Sequence, residues 1–237
     1  MTTRPSRERS PAQVDHLVIA AANLQEGVDW CESVLGVTPL AGGEHPLMGT
    51  HNRLLSIVSP AFAQAYLEII AVQPGAHMSR AAGSRRWFDL DTPELQAAIA
   101  GTGPQLVHFV ANTGDVRAAS RALAGDGLDR GRVVEASRMT PQGLLSWQIT
   151  IREDGQRLFY GALPTLIQWG DIRPVTGMPA SGITLEALHV SHPRPDALVT
   201  AYEAVGLSGV TVAQGSPNLI ATLQTPRGTV QLESRGI

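Results

Sequence analysis

The chain has 237 residues, 43% of them hydrophobic, with a formal net charge of −3, enough to bury a sizeable core as one domain or as two to three small units. Scattered arginines, with neither a basic stripe nor an acidic tail, argue against a nucleic-acid partner, and no apolar run approaches the roughly 20 residues that span a bilayer. Cys31 is the single cysteine, so an internal disulfide and a thiolate zinc cluster are excluded, and because all 18 basic residues are arginine, so is Schiff-base chemistry through a lysine.

Residues 1–12 carry charge with no hydrophobic stretch behind it and read as a disordered tail on a cytoplasmic protein. VDHLVIA (14–20) is an apolar strand, followed by a helix from about Leu24 that ends at Gly36, a C-terminal cap. Cys31 lies on that helix's apolar stripe with Leu24, Val28 and Leu35, where it packs as a small hydrophobe. HPLMGTHNR (45–53) is a turn leading into a strand, and AYLEIIA (65–71) closes the unit. Residues 73–104 bridge to the next unit. Asp91 or Thr92 caps a helix starting at Pro93, with Leu95 and Ile99 as its apolar face, while Trp87 and Phe88 pin the bridge to the core.

The same grammar then returns twice. QLVHFVA (105–111) leads into a helix over about 114–124 ending near Gly127, and TLIQW (165–169) closes that unit; LEALHVS (185–191) leads into a helix over about 195–205 ending at Gly206, and TVQLES (229–234) closes the third. His16 stands twenty residues ahead of Gly36, His108 nineteen ahead of Gly127, and Glu186 twenty ahead of Gly206. The closing strands each carry one polar residue too: Glu68, Gln168 and Glu233. By the period-two alternation of strands, His16 opposes Leu17 and Ile19, Glu68 opposes Leu67 and Ile69, His108 opposes Val107 and Phe109, and Gln168 opposes Ile167 and Trp169. Each polar residue is thereby expected to face away from the side that a helix covers.

A βαβββ unit repeated with a polar residue on its first and last strands resembles the vicinal oxygen chelate superfamily. The stretches HPLMGTHNRLLSI, YLEII and PTLIQWGD narrow the resemblance to the glyoxalase-like domain family within it. It implies an α+β fold: modules 13–72 and 105–170, joined by the linker 73–104, pair into a cup-shaped mixed sheet spanning 13–172, and 183–237 adds a third βαβββ-like module. In that superfamily, first-strand and last-strand residues of both modules meet a metal at the centre of the cup. Carried over residue by residue, the implied ligands are His16, Glu68, His108 and Gln168, with Glu68 and Gln168 also able to act on the substrate. The ion would be divalent, among Fe, Mn, Ni, Co and Zn, and would hold vicinal oxygens and stabilise an enediolate. An amide at Gln168, where a carboxylate often stands, is a weak ligand that could instead hydrogen-bond the substrate.

Beyond the ligand set, His51 is a candidate general base at the mouth of the cup, with His45, Asn52 and Arg53 as substrate contacts; the plainer reading is a surface loop that satisfies backbone groups. Arg138 and Trp147, on the middle strands of the second module, could line the same cavity, the arginine suiting a substrate carboxylate or simply facing water. His189 and His192 could belong to a second site or be ordinary polar residues at a strand end. The third module either closes against the first two or meets its copy in a homodimer. The leading reading of function is a metal-dependent lyase, isomerase or dioxygenase acting on a small oxygen-chelating substrate; the alternatives are a metal-free protein that sequesters an aromatic or antibiotic-like ligand between Trp147, Trp169 and Tyr66, and a purely structural oligomer component, which would need the cup filled by side chains.

Overall fold

The computed structural model describes residues 11–81 and 83–237, so almost all of the N-terminal stretch read as a tail lies outside the described residues. The first unit comprises β1 (Gln13–Ala20), α1 (Leu24–Trp30), β2 (Leu40–His45), β3 (Thr50–Ser56) and β4 (Tyr66–Val72). Helix α2 (Pro93–Thr102) stands in the bridge. The second unit comprises β5 (Gln105–Asn112), α3 (Val116–Gly125), β6 (Arg132–Thr140), β7 (Gly143–Ile151) and β8 (Thr165–Trp169). The third comprises β9 (Thr184–His192), α4 (Pro195–Val205), β10 (Val210–Gln214), β11 (Asn218–Thr225) and β12 (Gly228–Glu233). No helix among the described residues is long and apolar enough to cross a membrane.

Local chemistry sets the helix starts. The side chains of Asn23 and Asp115 each accept an N–H three residues on, from Glu26 and Ala118, both at 2.9 Å. Thr92 caps α2 ahead of Pro93, with Leu95 and Ile99 buried. Helix α1 widens into a π-helical turn, Cys31–Leu35, and stops at Gly36, whose φ of 78° suits glycine. Gly27 is required for a different reason: a Cβ there would lie 2.4 Å from the Ile69 Cγ2 beneath it.

The first two units merge into one eight-stranded sheet in the order β2-β3-β4-β1-β5-β8-β7-β6, the curled α+β cup that the repeat implied. At its centre β1 and β5 run antiparallel, with His16 opposite Val110 and Val18 opposite His108. This reciprocal pairing makes His16 and His108 counterparts under a local twofold. The outer ladders carry the relation further: Val18 stands opposite Glu68, and Val110 opposite Thr165. The second-module counterpart of Glu68 is therefore Thr165, three residues ahead of the expected Gln168.

Each face of the sheet has its own core. The helix side buries Leu17, Ile19, Cys31, Leu67, Ile69, Phe109 and Leu166, continuous with Leu188, Tyr202 and Leu219 of the third unit. The hollow side buries Val18, Ile70, Val107, Val110 and Ile167 beneath Phe88, Leu90, Leu95 and Ile99 of the bridge. The third unit thus closes against the helix face of its own chain: Leu185 N–H donates to Ile57 O at 2.9 Å and the Tyr202 hydroxyl to Ala162 O at 2.7 Å. It keeps the βαβββ element order but not the pairing, since its sheet runs β10-β9-β11-β12, whereas in the first two units the first strand pairs in parallel with the last. Glu186 and Glu233 consequently stay exposed. His189 is exposed while His192 is buried against Phe159 at 5.0 Å, so the two do not form one site.

Candidate active site

The histidine and carboxylate groups at the inner end of the hollow come from the first module, and aromatic and aliphatic side chains of the bridge and second module enclose them. β4 presents Glu68, and Asn52 on the adjacent β3 donates from Nδ2 to Glu68 Oε1 at 2.6 Å. The other end of that amide accepts the Gly43 N–H at 2.7 Å. A Cβ on Gly42 would fall 2.0 Å from Asn52 Oδ1, so only glycine lets β2 pass this close. His16 Nε2 lies 3.5 Å from Glu68 Oε2, and His45 Nε2 lies 4.0 Å from Glu68 Oε1. Two imidazoles thus flank one buried carboxylate. Tyr66 stacks on the His16 ring at 4.5 Å.

His16 is fixed from behind. The β1–β5 register slips between Val14 and His16, and Asp15 places Oδ1 2.6 Å from His16 Nδ1 while Oδ2 accepts the Trp169 indole N–H at 2.8 Å. Burial draws the His16 pKa down, but hydrogen bonds to Asp15 and Glu68 outweigh it and raise it to about 9. Burial likewise pushes Glu68 up, but the His16 contact and charge hold it at about 2. His45 lacks such a partner: burial lowers it to about 4, against the pull of Glu68. At neutral pH the site therefore holds an imidazolium, a carboxylate and a neutral imidazole in sequence.

A cavity of about 840 Å³ opens outward from this end between β2, β6 and the segment 171–178. It shares Leu54, Arg138, Leu145, Trp147 and Pro174 with the small pocket that reaches His16, His45 and Glu68. Arg138 stands at the junction, its Nη1 buried with no hydrogen-bond partner among the described residues. It lies flat against β2, for a Cβ on Gly43 would be 1.4 Å from that nitrogen.

The structure thus brings together His16 and Glu68 with His45, Asn52, Arg138 and Trp147. Four other candidates lie elsewhere. His51 and Arg53 fall on the opposite face of β3, with Leu55 of the helix-side core, and line neither pocket. Gln168 also faces the helices, where its Oε1 accepts the Val116 N–H at 3.0 Å, while Ile167 and Trp169 face the hollow. The three-residue offset to Thr165 accounts for its displacement. His108 faces the hollow, but both ring nitrogens are engaged: Nδ1 with Gly161 O at 2.8 Å, and Nε2 with the Thr165 N–H at 3.0 Å. Phe88 covers it at 5.1 Å, and Trp87 stacks on Phe88 at 5.2 Å. These two bridge residues divide the hollow into a first-module and a second-module compartment. Asp15 and its role escaped sequence reasoning, because strict alternation assigns it to the helix face. The adjacent Asp-His pair was the available signal.

His16 and Glu68 supply two donors that suit a divalent ion, and the Asp15–His16 bond is the kind that orients a metal-bound imidazole. The four expected ligands do not assemble. Among the described residues no group of three His, Cys, Asp or Glu side chains is arranged to hold a metal ion.

Paired βαβββ units forming one cup, with a histidine and a carboxylate from the first and last strands of a module converging inside it, place the protein in the vicinal oxygen chelate superfamily. The chain belongs to the glyoxalase-like domain family, whose model matches residues 14–206. Among solved structures it is similar to a hypothetical protein from Staphylococcus aureus, with 14% identity over 94% of this chain and 85% of the other and a TM-score of 0.55. Methylmalonyl-CoA epimerase from Mycobacterium tuberculosis matches at 16% identity over 70% of this chain and 91% of the other, TM-score 0.38. A mutant of 4-hydroxymandelate synthase from Streptomyces coelicolor matches at 15% identity over 94% of this chain and 63% of the other, TM-score 0.44. At such identities the likeness is one of fold. No match is found among curated proteins.

Proposed function

We propose that the protein is an enzyme that moves a proton at a carbon beside a carbonyl, in a small anionic substrate seated in the 840 Å³ cavity. One observation carries this reading: in the small pocket that adjoins that cavity, imidazoles held in opposite protonation states, His16 near 9 and His45 near 4, flank a single carboxylate. Neighbouring groups whose pKa values are driven apart make an acid and a base. His45 Nδ1 lies 3.1 Å from Thr50 Oγ1 and can donate to it, which makes Nε2, 3.4 Å from Asn52 Nδ2, the basic nitrogen that would take the substrate proton in place of that contact. The C–H bond breaks as the N–H bond forms, and Glu68 stabilises the new imidazolium. His16, oriented by Asp15, offers Nε2–H to the enolate oxygen and can return a proton. Arg138, with an unpartnered nitrogen at the junction, holds the anionic group of the substrate. The net change is an isomerisation or epimerisation, with no redox step.

Proton NMR in D₂O with a panel of 2-hydroxyaldehydes, 2-oxo acids and α-branched acyl thioesters tests this. Deuterium should enter the α-carbon of at least one compound, and His45→Ala should slow its entry by roughly 10²-fold or more. Ligands that quench Trp147 and Trp169 fluorescence yet never exchange would overturn the enzyme reading in favour of sequestration.

The Asp15–His16 hydrogen bond favours a second reading, in which His16 and Glu68 would hold a divalent ion whose contribution would be Lewis-acid polarisation of the substrate carbonyl. Elemental analysis of protein purified without chelator separates the two: one transition metal per chain, lost in Glu68→Gln, supports the ion.

A further inference from the structure

The second module carries a buried guanidinium that makes no salt bridge among the described residues, Asp129 and Asp154 acting on it only at a distance. Arg130 is 3% exposed. Its Nη2 donates to Thr165 Oγ1 at 2.7 Å, while Nε and Nη1 are buried without a hydrogen-bond partner among the described residues. The neighbouring guanidiniums are matched: Arg157 lies 2.9 Å from Asp89 and donates to Val107 O, and Arg152 lies 2.6 Å from Asp154. His108, the other ionisable group beside Thr165, is kept neutral by burial and by the two guanidiniums Arg130 and Arg157. A buried cation without a directly paired counter-charge is costly, because a hydrogen bond satisfies its N–H groups without offsetting its charge.

Beside Arg130 lies a pocket walled by Phe88, His108, Thr150, Arg157 and Thr165, with about 10 Å³ of free space, room for one water-sized sphere. The local twofold gives this pocket a meaning. Thr165 is the counterpart of Glu68, so where the first module sets a carboxylate beside its histidine, the second sets a hydroxyl and an arginine whose nitrogens are unfilled. Thr150 Oγ1 already accepts the Leu166 N–H, which frees its own proton to point into the pocket.

We propose that this compartment binds a chloride-sized monovalent anion on the Arg130 guanidinium, in the place that the Glu68 carboxylate fills in the other module. The site is separate from the acid–base cluster, from which Trp87 and Phe88 divide it, and it stands whether or not the proposed reaction is correct.

Thermal unfolding of the full chain in sodium chloride against sodium gluconate at constant ionic strength reads the site. Chloride should raise the midpoint along a single-site saturation curve, by about 5 °C at a hundredfold excess over Kd. Arg130→Met should abolish the dependence. Crystals of the unaltered protein soaked in sodium bromide give a reading that does not require the variant to fold: an anomalous peak within hydrogen-bond distance of the Arg130 guanidinium supports the site. Equal midpoints in the two salts, a chloride response that survives Arg130→Met, or a water in the pocket of bromide-soaked crystals would each refute it.

Discussion

The Trp169 indole N–H donates to Asp15 Oδ2 at 2.8 Å, although one residue ends the second module and the other begins the first. The other oxygen of the same carboxylate holds His16. Docking of the modules and orientation of His16 are therefore one interaction. Removing a buried charge from such a pair leaves its partners unmet, so Asp15→Ala should cost about 3 kcal/mol in denaturant unfolding. Trp169→Phe, which keeps the ring and loses the donor, should cost about 1 kcal/mol. It should also slow proton exchange by freeing His16 to turn.

The three titrating groups at the site predict a stability profile. His16 is raised from 6.5 to about 9, so its contribution is complete below pH 6.5 and is lost as pH climbs to about 9. Glu68 is lowered from 4.5 to about 2, so its contribution holds above pH 4.5 and is lost on falling toward 2. His45, lowered from 6.5 to about 4, is neutral in the fold and opposes folding as pH drops below 6.5. Unfolding free energy should decline on both sides of about pH 6.5, by up to about 1.4 kcal/mol per pH unit for each titrating group. Chemical denaturation of His16→Gln across pH 6.5 to 9 should lose the alkaline decline; an unchanged slope would show that His16 is not charged in the fold.

Gly43→Ala offers a test of Arg138 that leaves the arginine in place. The new methyl would occupy the position of Nη1, and the guanidinium, being the far end of a flexible chain, can swing aside. Stability should change by less than about 1 kcal/mol. Substrate KM should rise roughly tenfold, as it should in Arg138→Met.

Phe88 holds the divide from a left-handed backbone, φ 61°, at 4% exposure. Phe88→Ala should cost about 3 kcal/mol through the void it leaves. It should also join the two compartments, making His108 accessible to the hollow. Hydrogen exchange should quicken across residues 87–91 while the helix-side core stays protected.

The repeat, the ends of several helices and the paired cup were legible because each rests on local signals: Thr92 before one helix, Gly36 after another, Leu67 and Ile69 alternating around Glu68. The acid–base cluster was half legible. His16 and Glu68 follow from alternation within regular strands, and the turn near His45 was noticed, but its approach to Glu68 depends on how β2 folds over β3. The second module failed at register. Gln168 occupies the polar slot that counting assigns to a ligand, yet ladder pairing puts Thr165 opposite Val110, and a shift of three residues reverses the face. His51 and Arg53 failed by the same parity, one step either side of Asn52. The third unit shares an element order with the others, and sequence carries no mark of which neighbour β9 chooses.

The Trp87–Phe88 wall has a stereochemical consequence. The scaffold is close to an exchange of two equal halves, but a molecule in the first-module compartment faces His16, His45 and Arg138 there, with Trp87 and Phe88 closing it off from the other half. The chamber is handed although its frame is nearly symmetric, so mirror-image ligands should be told apart by which group each turns toward the partition.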